Sequence, residues 1–145
     1  MAKQPIVAVS GVSSSRIVFG VDPGISIGFV VLQDGEVLYQ ETLPSGTGIQ
    51  FIAHQICSIN PRIVIVEDFT GAGIKNRESN ATLKQVGFFE QFCVYYKVKV
   101  LLRQAQQRKA FEATARTKLK ESKCPTPHEV SALAHVLSVL NEENA

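Results

Sequence analysis

Two acidic residues stand out by position. Asp22 follows the apolar run Ile17 to Val21, and Glu67 follows Ile63 to Val66. Both runs are short, β-branched and bounded by turn or loop signals, as buried strands are. If the two strands are parallel neighbours, both carboxylates emerge at the same carboxyl edge of a sheet, where ligands of α/β proteins bind. Carboxylates a few Å apart repel each other and stay ionised mainly with a divalent cation between them. Two such ions can activate a water and stabilise the leaving oxygen of a phosphodiester. Read singly, Asp22 only makes the Asp22-Pro23-Gly24 turn and Glu67 only ends a strand; read as a pair on adjacent strands, those structural roles and a cation site both stay open.

Further groups surround this pair in the chain. His128, Ser131 and His135 lie at i, i+3 and i+7 and share one face of the last helix, with Glu129 about 100° away. His128, near the helix start, suits a metal ligand or general base, or else a polar residue of the first turn. His135, deeper in the helix, reads as a half-buried histidine with a hydrogen-bond partner. Gly24 and Gly28 precede a strand, so they are not a dinucleotide or phosphate-loop fingerprint, which needs a helix start. They let backbone pass close to a metal or phosphate, or simply form a hairpin. The polar stretch Thr70 to Asn80 carries Lys75, Asn76 and Arg77 directly after Glu67, and suits a loop that grips a phosphate backbone. Phe69, Phe88 and Phe89 can stack on bases, although Phe88 and Phe89 read better as core.

The elements that must position these groups follow from periodicity. Strands are expected at Ile17 to Val21, Gly28 to Leu32 and Glu36 to Thr42, with Asp34-Gly35 as a hairpin turn. Ile49, Ile52, Ala53, Ile56 and Ile59 fall at helical spacing, and Asn60-Pro61 stops that helix. Ile63 to Val66 is apolar throughout, as in a strand buried on both faces. A helix capped by Asn80, a strand over Lys97 to Leu102, a basic helix from Gln104 to Lys120 and a last helix from Pro127 to about Leu140 complete the order. The expected fold is α/β, a five-stranded mixed sheet of an antiparallel three-strand meander plus parallel strands, flanked by helices. Right-handed crossovers put the fourth strand beside the first. Met1 to Ser15 reads as a flexible leader, and 16–145 as one domain.

Composition excludes several classes. With 145 residues, 45% apolar and 19% charged, the chain can fold around a core and is not disordered. Its three cysteines are scattered, forming neither a disulfide framework nor a metal-binding CxxC, which fits a reducing compartment. No apolar run reaches a membrane span, and Pro5 to Val9 is too short for a signal peptide. A cytoplasmic protein is expected. The net charge of +2 hides an asymmetry: Lys75 to Lys123 holds twelve basic and four acidic residues. Such a split suits a polyanion-binding surface beside an acidic centre, or merely solvated helix faces.

Together these pieces resemble the RuvC branch of the RNase H-like nucleases, the Holliday-junction resolvases, over Arg16 to Leu140. The motifs are Phe19-Gly20-Val21-Asp22-Pro23-Gly24 with Gly28; Ile63 to Glu67; Lys75-Asn76 with Ser79-x-Ala81-x-Leu83-Lys84 and Gly87; and His128-x-x-Ser131-Ala132-Leu133-Ala134. The resemblance implies an RNase H-like fold and a metal-dependent endonuclease for branched DNA such as four-way junctions, in a bacterial or phage-infected cell. It implies Asp22, Glu67 and His128 as catalytic and metal residues, two Mg²⁺ or Mn²⁺ ions, and a homodimer. Ser131 stands where the family has its last aspartate, and a neutral hydroxyl is a poor ligand for Mg²⁺. Three outcomes follow: fewer carboxylates, with Mn²⁺ favoured because it accepts imidazole; recruitment of Glu129; or a weak or inactive site on a branched-DNA-binding protein. DNA contacts are expected from Lys75, Asn76, Arg77 and Lys84, and from the basic stretch Lys97 to Lys123, notably Lys97, Lys99, Arg103, Arg108 and Lys109. An actin-like phosphotransferase also has an early Asp-x-Gly turn, but this chain is too short for that two-domain fold.

Overall fold

The computed structural model describes residues 16–68, 77–121 and 123–145, with 77–79 described in backbone only. Strands β1 (Ile17–Asp22), β2 (Ser26–Gln33) and β3 (Glu36–Pro44) form the meander. Asp34 (φ 52°) and Gly35 (φ 82°) make the left-handed turn that suits strand twist between β2 and β3. Helix α1 (Ser45–Ile59) stops where Asn60, at φ 54°, takes the left-handed cap position before Pro61. Then follow β4 (Ile63–Asp68), α2 (Arg77–Tyr95), β5 (Val100–Gln104), a 3-10 helix (Ala105–Phe111), α3 (Glu112–Lys120) and α4 (Pro127–Glu143).

The sheet order is β3-β2-β1-β4-β5, with β1 parallel to β4 and β4 parallel to β5. This is the expected mixed five-stranded sheet, with the fourth strand beside the first. Side-chain alternation divides the core in two. Ile17, Phe19, Val21, Val64 and Val66 pack with Ile52, Ile56, Val86, Phe89 and Cys93 on the α1/α2 face. Val18, Ile63 and Ile65 pack with Ala115, Leu119, Leu133 and Val136 on the α3/α4 face. The parity that sends Val21 and Val66 toward α1 and α2 sends Asp22 and Glu67 toward α4.

Several boundaries differ from the sequence reading. Asp22 and Glu67 lie inside their strands rather than after them. Asn80 sits within the first turn of α2, which already begins at Arg77. Lys97 takes φ 59° in a turn, so β5 starts only at Val100. The stretch from Gln104 is not one helix: β5 runs through Gln104, whose side chain forms a reciprocal capping box with Gln107 and opens the 3-10 turn. The leader, Phe69, Lys75, Asn76 and the side chains of Arg77 and Ser79 lie outside the described residues.

Candidate metal centre

Val21 pairs with Val66 in the parallel β1/β4 ladder, so Asp22 and Glu67 are the next residues along two adjacent strands. Their side chains lie close enough for the charge of each to act on the other, and Asp22 is the more deeply buried of the two. Burial, then the charge of Glu67 and the hydrogen bond to it, push the Asp22 carboxyl up to about 8, against a smaller opposing effect of Arg108. Glu67 behaves oppositely. Burial alone would raise it, but hydrogen bonds from His135 and Arg108, with their positive charge, hold it below the usual carboxylate range.

Helix α4 brings both histidines to this edge. Thr126 caps the helix by accepting from the Glu129 amide, and Pro127 occupies the first turn. His128 Nδ1 lies 3.2 Å from Asp22 Oδ2, and His135 Nε2 lies 2.7 Å from Glu67 Oε1. His135 is fully buried, not half-buried, and its Nδ1 has no partner among the described residues. Ser131 lies between the two histidines on the same helical face and is half-buried.

Two glycines make this approach possible. A Cβ on Gly28 would stand 2.1 Å from the His128 carbonyl oxygen, and one on Gly20 would stand 2.7 Å from that of Ala132. Gly20 and Gly28 therefore admit the backbone of α4, whereas Gly24 has only Ser26 of its own turn nearby. The turn after Asp22 is clamped from the other face. Buried Gln85 of α2 accepts from the Gly24 amide at 2.9 Å and donates to its carbonyl at 2.8 Å.

Three predicted site residues have partners other than those expected. Glu129, considered as a replacement ligand, faces β2 and β3: its carboxylate accepts from Gln40 at 3.0 Å and Thr42 at 2.8 Å. The 100° offset from His128 puts it on the wrong side of α4. Arg103, expected on DNA, is buried. It stands opposite Glu67 in the β4/β5 ladder and donates to Ser138 and, through two nitrogens, to Glu142. Arg108 is also not a free surface cation: Nε donates to Glu67 Oε1 at 2.8 Å and Nη1 to Glu112. Lys84, Lys97, Lys99 and Lys109 are exposed. Sequence reasoning missed the hold of Arg108 and His135 on Glu67. The i, i+7 spacing of the histidines was the available signal for His135; nothing in the sequence links Arg108 to β4.

Among the described residues, no three His, Cys, Asp or Glu side chains already surround one point as metal ligands do. His128 touches Asp22, while His135 and the Arg108 guanidinium hold Glu67. The donor chemistry nevertheless fits a divalent cation: two adjoining carboxyls of which only one stays ionised at neutral pH, and an imidazole touching the other. With Ser131 neutral and Glu129 turned away, the set fits one ion better than two.

No known family profile matches the chain, and no curated protein matches it by sequence. Its structure does match solved ones. RuvC of Thermus thermophilus bound to a Holliday junction superposes with a TM-score of 0.73 at 20% identity, covering 89% of this chain and 95% of that one. The fowlpox virus Holliday junction resolvase gives 0.62 at 17% identity, covering 87% and 99%. The yeast mitochondrial Holliday junction resolvase gives 0.50 at 14% identity, covering 92% and 80%. The chain thus has the RNase H-like fold. More narrowly, it has that fold in the form taken by RuvC and the poxvirus resolvase.

Proposed function

We propose that this protein is a metal-dependent endodeoxyribonuclease that cleaves phosphodiester bonds in branched DNA such as four-way junctions. The observation that carries the reading is the Asp22–Glu67 carboxyl pair at the carboxyl edge of β1 and β4, with His128 in contact. Asp22 and Glu67 would hold Mg²⁺ or Mn²⁺, with His128 as third ligand or proton carrier. A divalent ion there supplies neutralisation of the phosphate charge and a more acidic water. With Nδ1 turned to Asp22, His128 keeps Nε2 for a water or a phosphate oxygen. Lys84, next in the chain to Gln85, and Lys109, next to Arg108, are exposed cations that would suit backbone phosphates. Lys75, Asn76 and Arg77, which follow Glu67 in the chain, extend that surface in this reading. The resolvases with the same fold support the junction as substrate.

The same reading includes a homodimer, which would set two sites on two strands. It is supported by an aromatic ladder along α2 and just past its end, in which exposed Phe88, Tyr95 and Tyr96 are linked through half-buried Phe92. No helix among the described residues is long and apolar enough to cross a membrane, in keeping with a cytoplasmic location.

A second reading, a branched-DNA-binding protein with little or no cleavage, is favoured by Ser131 and by the displaced Glu129. One experiment separates the two. Purified protein and Asp22→Asn are incubated with a labelled four-way junction in Mg²⁺ and then Mn²⁺, with binding followed by gel shift. The nuclease reading expects cleavage by the wild type and a loss of roughly 100-fold or more in Asp22→Asn, with binding retained. Cleavage by Asp22→Asn at the wild-type rate would remove Asp22 from the chemistry. Binding without cleavage by the wild type in either metal would leave the second reading.

A further inference from the structure

Among the described residues, a cation of the protein itself touches the acidic pair. Arg108 projects from the 3-10 helix that follows β5 and spans two carboxylates. Its Nε donates to Glu67 Oε1 at 2.8 Å, and its Nη1 donates to Glu112 Oε1. Glu112 opens α3, four residues after Arg108, and is partly exposed. It makes no contact with Asp22 or Glu67 among the described hydrogen bonds and ion pairs. One guanidinium is therefore shared between a carboxylate inside the candidate centre and one outside it. Arg108 is partly buried, so screening of its charge by water is incomplete.

A divalent ion bound by Asp22 and Glu67 would stand close to that guanidinium, and both would draw on Glu67. Like charges at such separation repel strongly where water is partly excluded. His135 donates to the same oxygen but has no second carboxylate partner among the described residues. Arg108 does have one, already bonded and one helical turn away. Release from Glu67 therefore leaves it paired.

We infer that Arg108 competes with a divalent cation for Glu67, and that Glu112 retains the guanidinium when the ion is bound. This rests on the metal reading of the Asp22–Glu67 pair. It makes Arg108 a positioning residue that sets the concentration of metal at which the centre fills, and Glu112 the residue that limits that competition.

The test is Mn²⁺ binding by titration calorimetry on the full chain, without DNA, for the wild type, Arg108→Gln, Glu112→Gln and the double variant. Arg108→Gln should tighten Mn²⁺ binding roughly tenfold, since it removes a charged hydrogen bond that the ion must break. Glu112→Gln should weaken it, because Arg108 then has only Glu67. The double variant should match Arg108→Gln, since Glu112 acts only through Arg108. Glu112 is partly exposed, so its variant keeps the test usable even if Arg108→Gln loses structure. Wild-type binding with no gain in Arg108→Gln overturns the competition alone. So does a Glu112→Gln effect that persists unchanged in the double variant. Absence of Mn²⁺ binding in every variant overturns the metal reading and the competition with it.

Discussion

Asp22 and Glu67 are two carboxyls in unequal states, and the inequality has a measurable sign. Asp22 binds its proton up to about pH 8 in the folded chain, against an ordinary value of 3.8. Between those values the folded protein holds a proton that the unfolded chain has lost. Stability of the metal-free protein should therefore fall as pH rises from about 4 to about 8, by an amount on the order of a few kcal/mol. Glu67 has the opposite sign, but its contribution is lost only as pH falls through the acidic range below its ordinary value of 4.5. Urea unfolding at a series of pH values in the presence of a chelator checks this. Asp22→Asn should flatten the slope between pH 5 and pH 8, and an unchanged slope would assign it to another group. The carboxyl pair was legible in sequence because each acid directly follows an apolar strand. Its hydrogen-bond partners were not, because Arg108 and His135 reach Glu67 across 41 and 68 residues of chain.

At the scale of elements, α4 and the strands beneath it decide the site. The helix start was legible from Pro127, and the strands from their β-branched runs. The close approach of α4 to the sheet was not, because a glycine in a strand reads equally as a turn or a bend. Gly28→Ala should displace the first turn of α4, since its Cβ would overlap the His128 carbonyl. Overpacking of that kind costs about 1–3 kcal/mol and should lower the melting temperature. Junction cleavage should fall more steeply than gel-shift binding, because His128 moves with that turn while Lys84 does not. Gly35→Ala is no control, since Gly35 needs its positive φ; Gly46→Ala, in α1 with nothing near its Cβ, is, and should leave both properties unchanged. The fate of Arg103 was also readable in principle. Val98, Val100 and Leu102 alternate toward one face, which sends Arg103 to the other, beneath α4.

At the scale of the whole molecule, the described residues leave one side of α2 uncovered. Val94 is 61% exposed and Tyr95 78%, next to Phe88 and Tyr96. Apolar residues grouped in this way on a small domain mark an interaction surface. In the dimer reading, Val94→Glu with Tyr95→Glu should convert a dimer to a monomer in light scattering while the melting temperature changes little, since neither side chain is in the core. A wild type that is already monomeric would remove α2 from that role. The far end of α4 carries a different consequence. Glu142 is bound by Arg103 and Glu143 by Arg62, so the helix is moored to the sheet at the pole opposite His128. Some 14 residues separate His128 from Glu142, about 21 Å of rigid rod. Both pairs are partly exposed while Val130, Leu133, Val136 and Val139 seat the rod on the sheet, so Glu142→Gln with Glu143→Gln should fray its last turn and leave the His128 end in register.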